Sequence, residues 1–346
     1  MMRELLNQYL QTCVPLIERE MRRVIEPLRG AQGKHPTTLA TMLNYHLGFA
    51  GVDGSPTSAN TGKRIRPALT LLCCEASGGS RERALPAAAA IELLHNFSLI
   101  HDDIEDRDEL RRGRPTLWKI WGEARAINAG DAMFALAHIA LLNTAARGAP
   151  ADQVLRALRT FDETCVALTT GQHMDIEFEQ RSDVTAANYL AMIEGKTAAL
   201  IRAACEIGAI VAGADDERAA QLGEFGRWLG IAFQVQDDVL GIWGDPALTG
   251  KQDSDLAHGK KTLPVLHAAD QDQTVRERYF RRRPVDAVEL AELRALIEAR
   301  GGRAYAEQAA RDAHDKSLAA LAAARVSGEA GLLLRALAES LLGRQM

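Results

Sequence analysis

The stretch LIHDDIEDRDELRRGRP, residues 99 to 115, carries six carboxylates within eight positions: Asp102, Asp103, Glu105, Asp106, Asp108 and Glu109. It then turns basic at Arg111, Arg112 and Arg114. On a helix advancing 100° per residue, His95, Leu99, Asp102 and Asp106 stand at offsets 0, 4, 7 and 11 and share one narrow face, with Asp103 beside it. Carboxylates four residues apart repel by a few tenths of a kcal/mol when exposed, and by more when they line a cavity, unless cations neutralise them. Oxygen-only ligands on one face suit a hard divalent ion. Mg²⁺ fits best, because it keeps several waters and shares its remaining positions with substrate phosphates. A solvated helix face is the competing account of the same residues.

A second acidic pair weakens that competing account. In FQVQDDVLG, residues 233 to 241, Gln234, Asp237, Asp238 and Gly241 fall at offsets 0, 3, 4 and 7, again on one face, and the helix continues from the apolar run AFQV. Acids that interrupt a buried pattern are paired or metal-bound more often than solvated. A complementary set of cations accompanies the two clusters: Lys63, Arg64 and Arg66 in TGKRIRP, Arg111 and Arg112, Lys196 in EGKTAAL, Lys251, and Lys260 with Lys261 in HGKKTLP. Arginine clamps a diphosphate bidentately and lysine as a point charge. Neither TGKR nor TGKQ is a P-loop, since the upstream glycine is misplaced and no Ser or Thr follows the lysine.

The 346 residues, 47% of them hydrophobic, can bury a large core, and the net charge of -5 with no basic tail gives no electrostatic case for a nucleic-acid partner. The basic run YFRRRP, residues 279 to 284, reads as a solvated loop. Five scattered cysteines, Cys13, Cys73, Cys74, Cys165 and Cys205, include no CxxC pair, which argues against a disulfide framework or structural zinc and for a reducing, cytoplasmic setting. The N-terminus intersperses charges among its apolar residues, unlike a signal peptide. Apolar windows such as LIRAACEIGAIVAGA, interrupted by Arg202 and Glu206, are expected to fall short of a membrane span.

Ala and Leu dominate, aromatics are only 5%, and strand-like alternation is nearly absent, so the expected class is all-α. Helical spacing of apolar residues runs from Pro86 to Ile104, Ala129 to Leu142, Val154 to Phe178 and Glu217 to Ile242. Gly-, Pro- and Ser-rich breaks fall at 51–62, 77–79, 147–150 and 241–250. None has the length of an interdomain linker. The expectation is a single helical domain over 1–346 around a central active-site cavity, with a motif-bearing core at about 60–267 and structural packing helices at about 285–346.

Taken together and in order, GKRIRP, the His95 of ELLHNFSLIHDD, DDIED, LRRGRPT, GQHMD, EGKT, FQVQDD and DLAHGKKTLP resemble the trans-isoprenyl diphosphate synthases, the polyprenyl synthetase family, from about residue 60 to 267. The resemblance implies a short-chain prenyltransferase that condenses isopentenyl diphosphate with dimethylallyl, geranyl or farnesyl diphosphate. It implies that Asp102, Asp106 and Asp237 ligate a Mg²⁺ cluster, of three ions assembled with the substrate diphosphate, supported by Asp103, Asp238, Gln172 and Asp175. Arg111, Lys196 and Lys260 would grip the allylic diphosphate, with Lys251 a further cation of that set. Lys63, Arg66, His95 and Arg112 would hold isopentenyl diphosphate, with Phe233 against it and Thr197 and Gln234 near the developing cation. A homodimer is also implied.

The chain departs from the family pattern at Gly241, where many relatives carry a third aspartate, and Asp255 could supply the missing outer contact to metal. Phe97, five residues before the first aspartate of DDIED, implies a pocket floor near the C20 product, geranylgeranyl diphosphate, although helical projection sets Ser98 closer to the Asp102 face. A farnesyl or longer-chain synthase is the neighbouring possibility. A class I terpene cyclase would share the fold and the metal cluster but would not need Lys63, Arg66, His95 and Arg112. An HD-type metal phosphohydrolase would need converging histidines, and the nine here are scattered. A non-catalytic partner subunit would be expected to have lost the first acidic motif, which is intact.

Overall fold

The computed structural model describes residues 2–29, 38–57, 62–244, 255–280 and 286–342. Lys251 and the arginines of YFRRRP lie outside them. The described chain is all-α apart from one two-stranded ribbon and an isolated bridge. It groups into two compact units, the first made of Met1–Asp162, Ala203–Ala219 and Val326–Leu334, the second of Glu163–Arg202, Ala220–Arg325 and Arg335–Met346.

The first unit is built on α4 (Arg81–Glu105), which packs against α1 (Met2–Ile25), α3 (Ile65–Ala76) and α6 (Glu123–Leu142). Ser80 caps α4 by accepting from the Arg83 N–H, and every residue from Ala84 to Leu94 is buried. The run of alanines presents little side-chain bulk on any side, so neighbouring helices can pack all round it. Glu92 is the one charge in this run, and it is answered. Arg64, at φ 48° just before α3, donates from Nη1 to Glu92 Oε1 at 2.5 Å and from Nη2 to the Leu47 carbonyl at 3.0 Å. Arg64 is therefore a buried structural cation, unlike the exposed Lys63 beside it in GKRIRP. α2 (Thr38–His46) and α5 (Leu117–Trp121) complete the neighbourhood.

The segment Glu123–Arg147 is long and apolar enough to cross a membrane by length and composition, contrary to expectation, yet 44% of its most apolar window is buried within the protein. α6 is apolar on nearly all sides: Met133, Ala137 and Leu141 are buried, while Ile127, Ile139 and Leu142 are exposed.

α7 (Ala151–Gln180), α9 (Ala199–Ala212) and α10 (Asp216–Trp243) each run from one unit into the other. In the second unit, α8 (Ala186–Ile193), capped by a reciprocal Thr185–Asn188 box, leads into one π-helical turn, Glu194–Ala198. α11 (Leu263–Gln271) packs on α12 (Gln273–Tyr279), α13 (Ala287–Ala299) and α14 (Gly302–Ala323), around a core that includes Val235, Val239, Leu263 and Leu266. α15 (Gly328–Leu342) follows. The break expected from residue 241 starts later, because α10 carries Gly241 within it and ends at Trp243.

Removing one partner of a buried ion pair leaves the other charge uncompensated, which costs about 3–5 kcal/mol. Arg64→Ala should lower the urea midpoint by that order through the stranded Glu92 carboxylate, whereas Lys63→Ala, at an exposed neighbour, should leave the midpoint within error.

Candidate active site

In the first unit the acidic motif occupies the last turn of α4, where the partial negative charge of the helix end opposes carboxylates. Asp102 is half-buried, Asp103 buried, and Asp106, the C-cap, exposed, with its N–H donating to the Asp102 carbonyl at 2.8 Å. Relief comes from the ribbon β1 (Leu110–Arg111) and β2 (Arg114–Pro115), turned by Arg112 and Gly113 at φ 54° and 74°, a two-residue turn of the type that matches strand twist. Its register directs Arg111 back at the helix: Nε donates to Asp103 Oδ1 at 2.5 Å, and Nη2 lies 3.7 Å from Asp102 Oδ2. Arg114 anchors the other strand through the Tyr45 and Ala50 carbonyls at 3.1 and 2.9 Å, and its guanidinium lies 3.9 Å from the centre of the Tyr45 ring. Burial pushes the Asp103 carboxyl up to about 6, against the pull of Arg111. Its Oδ2 is buried without a hydrogen-bond partner.

That orphaned oxygen, the half-buried Asp102 beside it and the oxygen-only donor set fit a hard divalent cation. Arg66 Nη1 meets His95 Nε2 at 3.3 Å, and burial with the Arg66, Arg112, Arg111 and Arg64 charges holds His95 well below its ordinary pKa, so the ring is a neutral acceptor for Arg66 at pH 7. Lys63 and Arg112 are exposed. Phe97 and Ser98 are half-buried, and Ser98 Oγ donates to the His95 carbonyl at 2.8 Å, which turns its hydroxyl back onto its own helix. Behind the ribbon a small pocket is lined by Tyr45, His46, Asp103 and Arg111. His46 was not singled out in the sequence; burial and then Arg111, Arg112, Arg64 and Arg114 push its pKa down to about 3.

In the second unit, close backbone approach does the positioning. A Cβ on Gly171 would lie 2.2 Å from the Lys196 nitrogen, and one on Gly195 would lie 2.6 Å from the Ala167 carbonyl oxygen, so α7 and the π-turn meet glycine to glycine. One turn on from Gly171, Asp175 receives Lys196 Nζ at 2.5 Å. Gln172, at the intervening position, is half-buried. The next residue of the turn, Thr197, donates to Gln234 Oε1 at 2.9 Å, and Gln234 Nε2 donates to Asp238 Oδ1 at 3.2 Å.

Asp238 is the hub of this half. Its Oδ2 accepts from the Tyr189 hydroxyl and from the Leu263 N–H at the start of α11, so one carboxylate ties α8, α10 and α11 together. Burial pushes it up to about 7, against these three donors. Asp237 and Phe233 are half-buried on the same helix.

Asp255 is buried, and its carboxylate fills the space beside Gly241: a Cβ there would lie 1.9 Å from Asp255 Oδ2. Glycine at 241 and aspartate at 255 are thus sterically linked. Lys260 is exposed, whereas Lys261 caps the end of α7 by donating to the Phe178 and Glu179 carbonyls. Tyr189 and the arginine ribbon also escaped sequence reasoning. The Arg-Gly turn in LRRGRP was the available signal for the ribbon; a lone tyrosine on a short apolar helix carries none.

Each unit thus carries a pair of adjacent aspartates, Asp102 and Asp103 in the first and Asp237 and Asp238 in the second, on an all-α scaffold. The polyprenyl synthetase model matches residues 55–297. A (2E,6E)-farnesyl diphosphate synthase of Mycobacterium tuberculosis is 45% identical over 278 residues, 78% of this chain and 76% of that protein. A geranylgeranyl diphosphate synthase of the same organism is 39% identical over 322 residues, 92% and 88% of the two chains. The crystal structure of a polyprenyl synthetase from Streptomyces coelicolor superposes with a TM-score of 0.87 at 36% identity, covering 97% of this chain and 99% of that one. The chain belongs to the polyprenyl synthetase family, a family of prenyltransferases.

Two outcomes follow from this geometry. Gly241→Ala, and equally Gly241→Asp, must expel the Asp255 carboxylate; overpacking of this kind costs about 1–3 kcal/mol, and the unfolding free energy from urea titration should fall by that order in both variants. His46 titrates at an ordinary 6.5 when unfolded and about 3 when folded, so the unfolded state binds the extra proton between those values. Its contribution to stability is complete above pH 6.5 and is lost as pH falls towards 3, about 2 kcal/mol by pH 5. Unfolding curves of His46→Gln should lack that component.

Proposed function

We propose that this protein is a Mg²⁺-dependent prenyl diphosphate synthase that condenses isopentenyl diphosphate with allylic diphosphates to all-trans products, ending at C20 geranylgeranyl diphosphate. The observation that carries this reading is the coexistence of two sets of groups: the adjacent carboxylates Asp102 and Asp103, the second with a buried oxygen that has no hydrogen-bond partner, and a cationic set of Lys63, Arg66 and Arg112, with the neutral His95 beside Arg66, that a single-diphosphate enzyme would not require. Asp102, Asp106 and Asp237 would hold Mg²⁺, with Asp103, Asp238, Gln172, Asp175 and Asp255 behind them. Bound there, the metal would neutralise the allylic diphosphate as its C–O bond breaks.

The chain's own groups supply the rest. Arg111, Lys196, Lys260 and Lys251 grip the allylic diphosphate and stabilise it as a leaving group. Lys63, Arg66 and Arg112 orient isopentenyl diphosphate, and the neutral His95 steadies Arg66. Thr197 and Gln234, locked to each other and to Asp238, hold oxygen dipoles beside the carbocation, with Phe233 against the attacking alkene. The C–C bond forms as that alkene attacks C1 of the allylic cation, and the proton lost in closing the new double bond goes to the departed diphosphate. Apolar helices around the growing chain exclude water.

Phe97 supports a C20 limit, while the relatives include both farnesyl and geranylgeranyl synthases. The five cysteines, all unpaired, support a cytoplasmic setting. Exposed Ile127, Ile139 and Leu142 of α6, with Leu155 of α7, support a homodimer.

Purified protein incubated with Mg²⁺, labelled isopentenyl diphosphate and each allylic starter should give chelator-sensitive products ending at C20, and Asp102→Ala should lower turnover by about 10³-fold or more. A C15 endpoint would make it a farnesyl synthase. Consumption of the allylic substrate to hydrocarbon, with the label left behind, would make it a cyclase.

A further inference from the structure

The two arginines of GKRIRP face different groups on α4. Arg64 is buried with φ 48° and ψ 41°, a left-handed conformation that is costly for a residue with a side chain and persists where contacts over-determine it. Its guanidinium supplies those contacts on three sides: Nη1 donates to Glu92 Oε1 of α4 at 2.5 Å, Nη2 to the Leu47 carbonyl at 3.0 Å, and Nε lies 3.6 Å from Glu18 Oε1 of α1. Two residues on, Arg66 Nη1 meets His95 Nε2 at 3.3 Å, and its Nε is buried without a hydrogen-bond partner. Glu92 and His95 stand one turn apart on α4, so the two guanidiniums address neighbouring positions of one helix face. Glu92 is buried, and its charge favours the ionised guanidinium of Arg66 against burial. One buried carboxylate thus acts on two arginines, and Arg64 is the one that pairs with it.

We infer that Arg64 is a positioning residue: by occupying Glu92 it leaves Arg66 turned to His95 and open to the diphosphate of isopentenyl diphosphate. This rests on the synthase reading and on Arg66 as a ligand of that diphosphate. Without Arg64, Glu92 is a buried charge with no counter-ion, and a carboxylate attracts a guanidinium more strongly than a neutral imidazole does. Arg66 then rotates from His95 onto Glu92, and the diphosphate must compete with a carboxylate of the protein for the same cation. This differs from an ion pair that only holds the fold together. Damage from losing a purely structural pair is not undone by deleting its second member, whereas deleting Glu92 as well as Arg64 removes the competitor and returns Arg66 to the substrate.

The test is steady-state kinetics of the full-length enzyme with Mg²⁺, labelled isopentenyl diphosphate and an allylic starter, for the parent, Arg64→Ala, Arg64→Gln, Glu92→Gln and the double variant Arg64→Ala/Glu92→Gln, with urea midpoints to establish folding. Arg64→Ala is expected to raise the KM for isopentenyl diphosphate about tenfold or more, as loss of one charge-assisted hydrogen bond would, and to leave the KM for the allylic substrate within about twofold. The double variant is expected to bring the KM for isopentenyl diphosphate back to within about threefold of the parent. Glu92→Gln alone should keep it near the parental value, since Arg64 still donates to the amide oxygen. Arg64→Gln, which retains a donor without the charge, should move the same KM in the same direction, and it carries the test if the alanine variant does not fold. Folded Arg64 variants with the parental KM for isopentenyl diphosphate, or a double variant as impaired as Arg64→Ala, overturn the inference. Absence of label incorporation by the parent overturns the synthase reading instead.

Discussion

Like charge at the wrong end of a helix is the constraint on which the first half-site depends. Carboxylates favour the start of a helix, yet Asp102, Asp103 and Asp106 sit at the end of α4, where the backbone dipole repels them, and one of them is buried. Asp102 and Asp103 meet the guanidinium of Arg111, delivered by the two-residue turn of the β1–β2 ribbon. Asp103 nevertheless retains a buried oxygen with no hydrogen-bond partner. α4 can bear this because its first half, Ala84 to Leu94, is buried throughout and fixes the helix independently of its charged tip.

The second half-site solves a different problem, the precise placement of long polar side chains. Contact between Gly171 and Gly195 brings a π-turn against α7, and that turn presents two adjacent residues, Lys196 and Thr197, to different partners. Extra residues in a helical turn re-aim side chains that a regular helix would have spaced otherwise. Asp238 then ties the resulting chain of hydrogen bonds to three helices. Its neighbour Asp237 is half-buried on the same helix.

Much of this was legible in the sequence, for reasons that particular residues show. The Ala- and Leu-rich composition and the 3.6-residue period gave the all-α class, and the expected ends of α4, α6, α7 and α10 lie within two residues of the observed ones, whereas α4 and α6 start five and six residues before the expected positions. Gly241 misled as a helix breaker because its role is steric: it makes room for Asp255, fourteen positions away, and period analysis is blind to that distance. Arg64, grouped by sequence with the other cations of GKRIRP, has its guanidinium consumed by Glu92. Lys261 is likewise spent on the end of α7. Neighbouring cations in one motif look alike until burial separates them. The ribbon was missed because strands of two residues have no periodicity to detect, and His46 because an isolated histidine on a short helix gives no pattern.

The proposed function requires both Asp102 and Asp237 for metal-dependent binding of the allylic diphosphate. Calorimetric titration of a non-cleavable allylic diphosphate analogue, with and without Mg²⁺, into the parent protein, Asp102→Ala and Asp237→Ala tests it directly. The account predicts metal-dependent binding in the parent and loss of most of that metal-dependent gain in each variant. Parental, metal-dependent affinity in Asp237→Ala would show that the first motif holds the diphosphate alone, and would contradict the account.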